Sequence, residues 1–175
     1  MKNFKLGFIG AFVFAVMMFA GCEDACKDVT CLNGGTCLEG ICNCTAGYEG
    51  TDCGTAYNAK FVGTFNLSVN NCDTVALDPY PVAITASATD PASLTVGGLY
   101  ENPTGTTVTA TIESSNTNQF NIAEQVFDDN ATNDNLTITG TGTITDDGNT
   151  LTITYTLFNV TQNIVWDGCT DTFTK

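Results

Sequence analysis

Cysteine is the reactive residue this chain holds in quantity: nine cysteines stand beside no histidine and no arginine. A thiol can serve as nucleophile, metal ligand, acyl acceptor or half of a disulfide. Nucleophilic use calls for a neighbouring base, and the usual one, histidine, is missing. Zinc takes thiolates in tetrahedral sets, usually with C-x2-C spacing. Here Cys26, Cys31, Cys37, Cys42, Cys44 and Cys53 run C-x4-C-x5-C-x4-C-x-C-x8-C, and no C-x2-C occurs. Cross-linking is what remains for these six, and fifteen pairings are open to them. Cys72 and Cys169 form a distant pair, and Cys22 is left at the end of a hydrophobic leader.

Oxygen chemistry is equally limited. Asp146 and Asp147 are adjacent carboxylates, but with Gly148 they read as a hairpin turn. The densest oxygen cluster runs from Asp128 to Asn135. Within it Asp128, Asn130, Thr132 and Asp134 alternate as in a calcium loop, without the central Gly and the terminal Glu such a loop requires. These are weak calcium candidates, and a solvated hairpin loop is the simpler expectation. No G-x-S-x-G and no Gly-rich phosphate loop is present. The expectation is a protein that is not an enzyme and carries no cofactor.

The elements around these residues start with a leader. Lys2 and Lys5 precede an apolar run from Leu6 to Phe19, followed by the small residues Ala20 and Gly21. This is the layout of an export signal, too short in its apolar part for a comfortable membrane span. The small residues before Cys22 resemble the bacterial lipobox, with Phe19 where that family usually has Leu, Val or Ile. The resemblance implies a signal peptide over 1–21, Cys22 as the first mature residue, and a diacylglycerol on its thiol. The expected site is the bacterial outer membrane or cell surface, with the membrane as a partner through the lipid.

Charge fits export. Beyond the leader three lysines face 19 acidic residues, a side-chain charge of −16. Such a surface repels nucleic acid and anionic membranes, so no nucleic-acid partner is expected and the acyl chains must supply the anchoring. The 43% hydrophobic content, regularly alternating, argues against disorder.

The segment 26–53 resembles an EGF-like module. Its six cysteines, the Asn33-Gly34-Gly35 turn before Cys37, and Gly47-Tyr48 with Gly50 before Cys53 carry the likeness. The resemblance implies the pairs Cys26–Cys37, Cys31–Cys42 and Cys44–Cys53. So short a segment buries too little apolar surface to fold unaided, and each cross-link contributes roughly 2–4 kcal/mol. The calcium-binding subset of that family has D-x-[DN]-E before the first cysteine, and an Asn or Asp and an aromatic between the third and fourth. Here Glu23-Asp24-Ala25 precedes Cys26, and only Leu38-Glu39-Gly40-Ile41 lies between Cys37 and Cys42. A calcium-binding EGF-like protein is therefore a lesser alternative. The tether 22–25 reaches roughly 10–15 Å, which sets the module at the lipid headgroups as a spacer.

Residues 54–60 read as a linker, and 61–175 as an all-β domain. Thr alternates with apolar residues along 106–113, 136–145 and 150–158. Period two with one polar face predicts antiparallel strands. Turn signals such as Asp90-Pro91, Gly97-Gly98 and Asp146-Asp147-Gly148-Asn149 separate them. About eight strands are predicted, at 61–70, 81–88, 92–99, 106–113, 118–126, 136–145, 150–158 and 163–174. They make an up-and-down barrel or, alternatively, a β-sandwich. A Cys72–Cys169 bond would set the first strand beside the last, as a closed meander requires. Phe61-Val62-Gly63-Thr64-Phe65 resembles the first-strand G-x-W motif of lipocalin-like barrels, with Phe65 in place of Trp. Trp166, Phe120, Phe127, Phe158 and Phe173 read as packing aromatics. The functional expectation is a lipid-anchored binding or adhesion protein with an EGF-like stalk and a β head, its partner an unknown protein or glycan. The alternative, from the lipocalin resemblance, is a carrier of a small apolar ligand.

Overall fold

The computed structural model describes residues 25–72, 79–99, 107–129 and 134–175, leaving aside the side chains of 127–129, 134 and 135. Cys22 and the rest of the leader lie outside the described residues.

The first strands are short and held by sulfur. β1 (Thr36–Leu38) and β2 (Ile41–Asn43) form a hairpin in which Leu38 faces Ile41 and Cys37 faces Cys42. Its two-residue turn, Glu39-Gly40, has positive φ at both positions (52° and 84°), the twist a tight hairpin needs. β3 (Tyr48–Glu49) pairs with β4 (Thr55–Ala56). Disulfides join Cys26–Cys37, Cys31–Cys42 and Cys44–Cys53, the pairing the EGF-like resemblance implies.

Eight further strands follow: β5 (Gly63–Asn70), β6 (Pro81–Ala86), β7 (Ser93–Gly97), β8 (Val108–Ile112), β9 (Gln119–Asp129), β10 (Asp134–Ile144), β11 (Thr150–Asn159) and β12 (Ile164–Thr174). Each pairs antiparallel with the next, and β12 returns to β5, with Phe173 opposite Leu67 and Asp171 opposite Asn70. The sheet is a closed barrel, so the sandwich alternative is not adopted. Closure leaves no edge strand to protect.

The barrel's polarity follows the alternation. Phe65, Val82, Ile84, Leu94, Val96, Val108, Ala110, Phe120, Ile122, Ile138, Leu151, Ile153 and Phe173 face inward and are buried. The threonines face out. In register, Thr141 lies opposite Thr154 and Thr154 opposite Thr170. A membrane-spanning barrel needs an apolar band outside and a polar lumen. This barrel has the reverse arrangement among the described residues.

The predicted strands differ from the observed ones mainly at their ends, with one larger correction. Residues 57–61, divided in the sequence reading between linker and first strand, form a 3-10 helix whose Tyr57, Asn58 and Phe61 are buried. Phe61 meets Phe120 edge-on with ring centroids 5.4 Å apart, filling the end of the barrel at which the chain enters. The linker 54–60 thus contains β4 and a barrel plug.

Candidate binding surface at the far end of the barrel

The antiparallel meander gives the barrel two unlike ends. At one end lie the 3-10 helix, the turns 87–92, 113–118 and 145–149, and the C-terminus. At the other lie the connections 71–80, 98–107, 130–133 and 160–163.

The first end is occupied by the cysteine-rich module. Asn58 donates its backbone N–H to the Pro91 carbonyl (3.0 Å) and its side-chain amide to the carbonyls of Asp90 (3.1 Å) and Ser93 (2.8 Å). The Tyr57 N–H donates to the Gly47 carbonyl at 2.9 Å. Gly47 sits so close to Pro91 that a Cβ there would lie 2.5 Å from the proline ring. Lys60 Nζ is 2.7 Å from Glu49 Oε1 and donates to Thr117 Oγ1 and Asn118 Oδ1 at 3.0 Å each. Thr117 in turn donates to Glu49 Oε2 at 2.9 Å. Glu49 belongs to the module and Thr117 to a barrel turn, so Lys60 and Thr117 bridge the two regions.

The same end contains the adjacent aspartates, and both do turn chemistry. Asp147 accepts from the Thr145 hydroxyl and from the Asn149 N–H and side-chain amide. These bonds hold its carboxyl below the usual carboxylate range. Asp146 accepts from the Asn118 amide at 2.6 Å.

Toward the other end, strands of unequal length build a tall wall. β9 to β12 run 10 or 11 residues, whereas β6, β7 and β8 have 5 or 6. Across the outer face of the tall strands, Val126, Thr137, Phe158 and Val165 lie opposite one another in register. Val126 is 64% exposed and Val165 57%. Val160 and Ile164 are exposed at the tip of the β11–β12 hairpin. Asn159 shapes that tip, its side-chain oxygen accepting from the Gln162 N–H at 2.9 Å. Trp166, expected as a packing aromatic, is partly buried against the core. Phe158, expected likewise, is half-buried on the outer face.

The wall is tied to β5 by a clamp that the sequence reading only half found. Cys72 and Cys169 are bonded. Two residues on, Asp171 is fully buried inside the barrel. Its Oδ1 accepts from the Asn70 amide (2.8 Å), and its Oδ2 from the hydroxyls of Tyr155 (2.7 Å) and Tyr80 (3.1 Å). A buried carboxyl group is costly unless hydrogen-bonded, and these three donors meet that need. They also join β12 to β5, to β11 and to the lead-in of β6. The group is a strut, since its oxygens are already engaged by the protein's own donors.

The signal for Asp171 was its place between Cys169 and Phe173 at inward spacing. A bulge obscures it. Trp166 faces Leu157 and Cys169 faces Tyr155, so β12 carries an extra residue there, with Gly168 at φ 69°. The phase set by Ile164 and Trp166 would turn Asp171 outward.

The weak calcium candidates are only partly described. Asp128 and Asp134 are strand positions, Asp128 opposite Asn135 and Asp134 opposite Asp129, and Asn130 lies outside the described residues. The expected loop 128–135 is correspondingly shorter, because β9 and β10 continue into it. Among the described residues no group of three or more metal-ligating side chains is assembled.

No family model matches this chain, and no curated protein and no solved structure is significantly similar to it.

Proposed function

We propose that this chain is a lipid-anchored binding or adhesion protein of a bacterial surface, in which an EGF-like module mounts a β-barrel head. In this reading Cys22 takes the lipid, and the tall wall β9–β12 at the far end of the barrel meets a protein or glycan partner. One observation carries it. The barrel's inward-facing aromatic and aliphatic side chains are buried, while the wall β9–β12 leaves Val126, Val160, Ile164 and Val165 exposed.

An eight-stranded barrel either fills its interior with side chains or holds one small ligand there. Phe61, Phe65, Phe120, Phe173 and Tyr155, each at most 1% exposed, favour the first use and speak against a carrier of an apolar molecule. The buried Asp171 already accepts three hydrogen bonds and reads as a strut rather than a binding group. Apolar groups raised on one rim of an otherwise Thr-rich surface suit an interface, where apolar side chains form the centre and polar groups the margin.

The test is a substitution pair read on arrays of immobilised glycans and surface proteins. Val126→Glu with Val165→Glu should abolish any binding the unaltered chain shows. Thr64→Glu, beside the occupied end, should leave it unchanged. Binding that survives the first pair and fails with the second would place the interface elsewhere.

A further inference from the structure

Among the described residues the most exposed apolar pair is on the cysteine-rich module. Leu38 and Ile41, directly opposite in the β1–β2 hairpin, are 67% and 73% exposed, more than any other large hydrophobic described. Two side chains standing out on a tight turn cover nothing in the fold. Their position relative to the chain's start suggests what covers them. A Cβ on Gly40, in the turn between them, would lie 3.4 Å from the Ala25 carbonyl oxygen and 3.6 Å from Ala25 Cβ. The chain therefore arrives at this hairpin tip three residues after Cys22, a span of roughly 10 Å when extended.

We infer that Leu38 and Ile41 dip into the lipid bilayer beside the acyl chains of Cys22, making the hairpin tip a second, non-covalent membrane contact. The inference rests on the reading of Cys22 as the lipid acceptor. An acyl anchor on so short a tether holds the tip within reach of the headgroups, roughly 10 Å at most, where apolar side chains gain by entering the headgroup–acyl boundary. Glu39, between them in the turn, limits the depth, because its carboxylate stays among the headgroups. The module's contacts with the barrel and its 3-10 plug come from Gly47 and Glu49, outside this turn. Seating the tip in the bilayer thus leaves the module's contacts with the barrel undisturbed.

The experiment uses the full lipidated chain, purified from membranes and reconstituted in vesicles of phosphatidylcholine brominated along its acyl chains. Trp166 is the only tryptophan and lies near the start of β12, at the end of the barrel away from the module, so in the unaltered chain its emission should be unquenched. In a Trp166→Phe background, Ile41→Trp should show blue-shifted emission and lose most of its intensity to bromine. Leu38→Trp reads the same surface should the first variant misfold. The Cys22→Ser chain added to the same vesicles should show neither effect. A lipidated chain that floats with the vesicles while both new tryptophans remain unquenched overturns this inference alone. A chain that does not float overturns the anchor reading, and this inference with it. Quenching of Trp166 as strong as that at position 41 would reverse the orientation. A blue shift that needs no vesicles and grows with protein concentration would assign the tip to a second copy of the chain instead.

Discussion

Between Ala25 and Ala56 the only buried hydrophobic residue is Cys53, whereas every strand of the barrel contributes buried apolar side chains. The two regions solve folding by different means. The module closes three loops with sulfur, at separations of 9 to 11 residues, and so limits the entropy of its unfolded chain. The barrel removes apolar surface from water and adds cross-links only at the seam where its first and last strands meet. The contrast explains why the module can expose Leu38 and Ile41 at little cost to its own fold, since its stability does not come from burying them.

Reduction is the strongest way to break this contrast. Three short-loop disulfides at roughly 2–4 kcal/mol each exceed what so small a region gains by burial. In reduced protein, amide exchange should become fast throughout 25–56 while β6 to β11 stay protected. Loss of protection in both regions together would mean that the barrel depends on the module or on its own Cys72–Cys169 bond, which reduction also breaks.

The next largest effect tests the barrel's seam. Asp171→Ala removes the acceptor shared by Asn70, Tyr80 and Tyr155, and should lower barrel stability by about 2–5 kcal/mol in denaturant titration. Protection in the module should be unaffected. A cost under about 0.5 kcal/mol would be the range of an ordinary surface change, and the strut would then contribute nothing.

Much of this architecture was legible, for reasons that differ by region. Thr at every second position marks the wet face of a strand, so 150–158 could be read almost to the residue, and the observed β11 is Thr150–Asn159. The pair Cys72 and Cys169 foretold that the ends of the sheet meet, though not that closure excluded a sandwich. The plug was not legible, because Tyr57, Asn58 and Phe61 are too few to show a period and lie between two regions of different character. Asp171 was missed because the bulge at Gly168 reverses the strand's phase. The bridge through Glu49, Lys60 and Thr117 depends on residues up to 68 positions apart, which no local pattern announces.

A smaller effect sharpens the boundary between the two regions. Lys60→Met removes the bridge to Glu49, Thr117 and Asn118. The pair is partly exposed, so global stability should fall by no more than about 1 kcal/mol. Exchange at the Tyr57 and Asn58 amides, which bond across the junction, should rise before any barrel amide responds.

The smallest effect is at the acid end. Hydrogen bonds lower the Asp90 and Asp147 carboxyls below their ordinary values. A carboxyl lowered by folding contributes stability above the unfolded value, near 4. That contribution fades as pH falls through the folded value. Asp147→Asn lacks its share, so thermal stability should decline slightly less steeply below about pH 4 in the variant than in the parent chain. A steeper decline would reverse the assigned sign.

The central claim is that the cysteine-rich module is fixed on the end of the barrel that holds the 3-10 helix. Residual dipolar couplings of backbone N–H groups test it most directly, measured on the oxidised chain in a weakly aligning medium. The account predicts that one alignment tensor fits β1 to β4 together with β5 to β12. Two tensors of different magnitude would show the regions turning independently, and would contradict it.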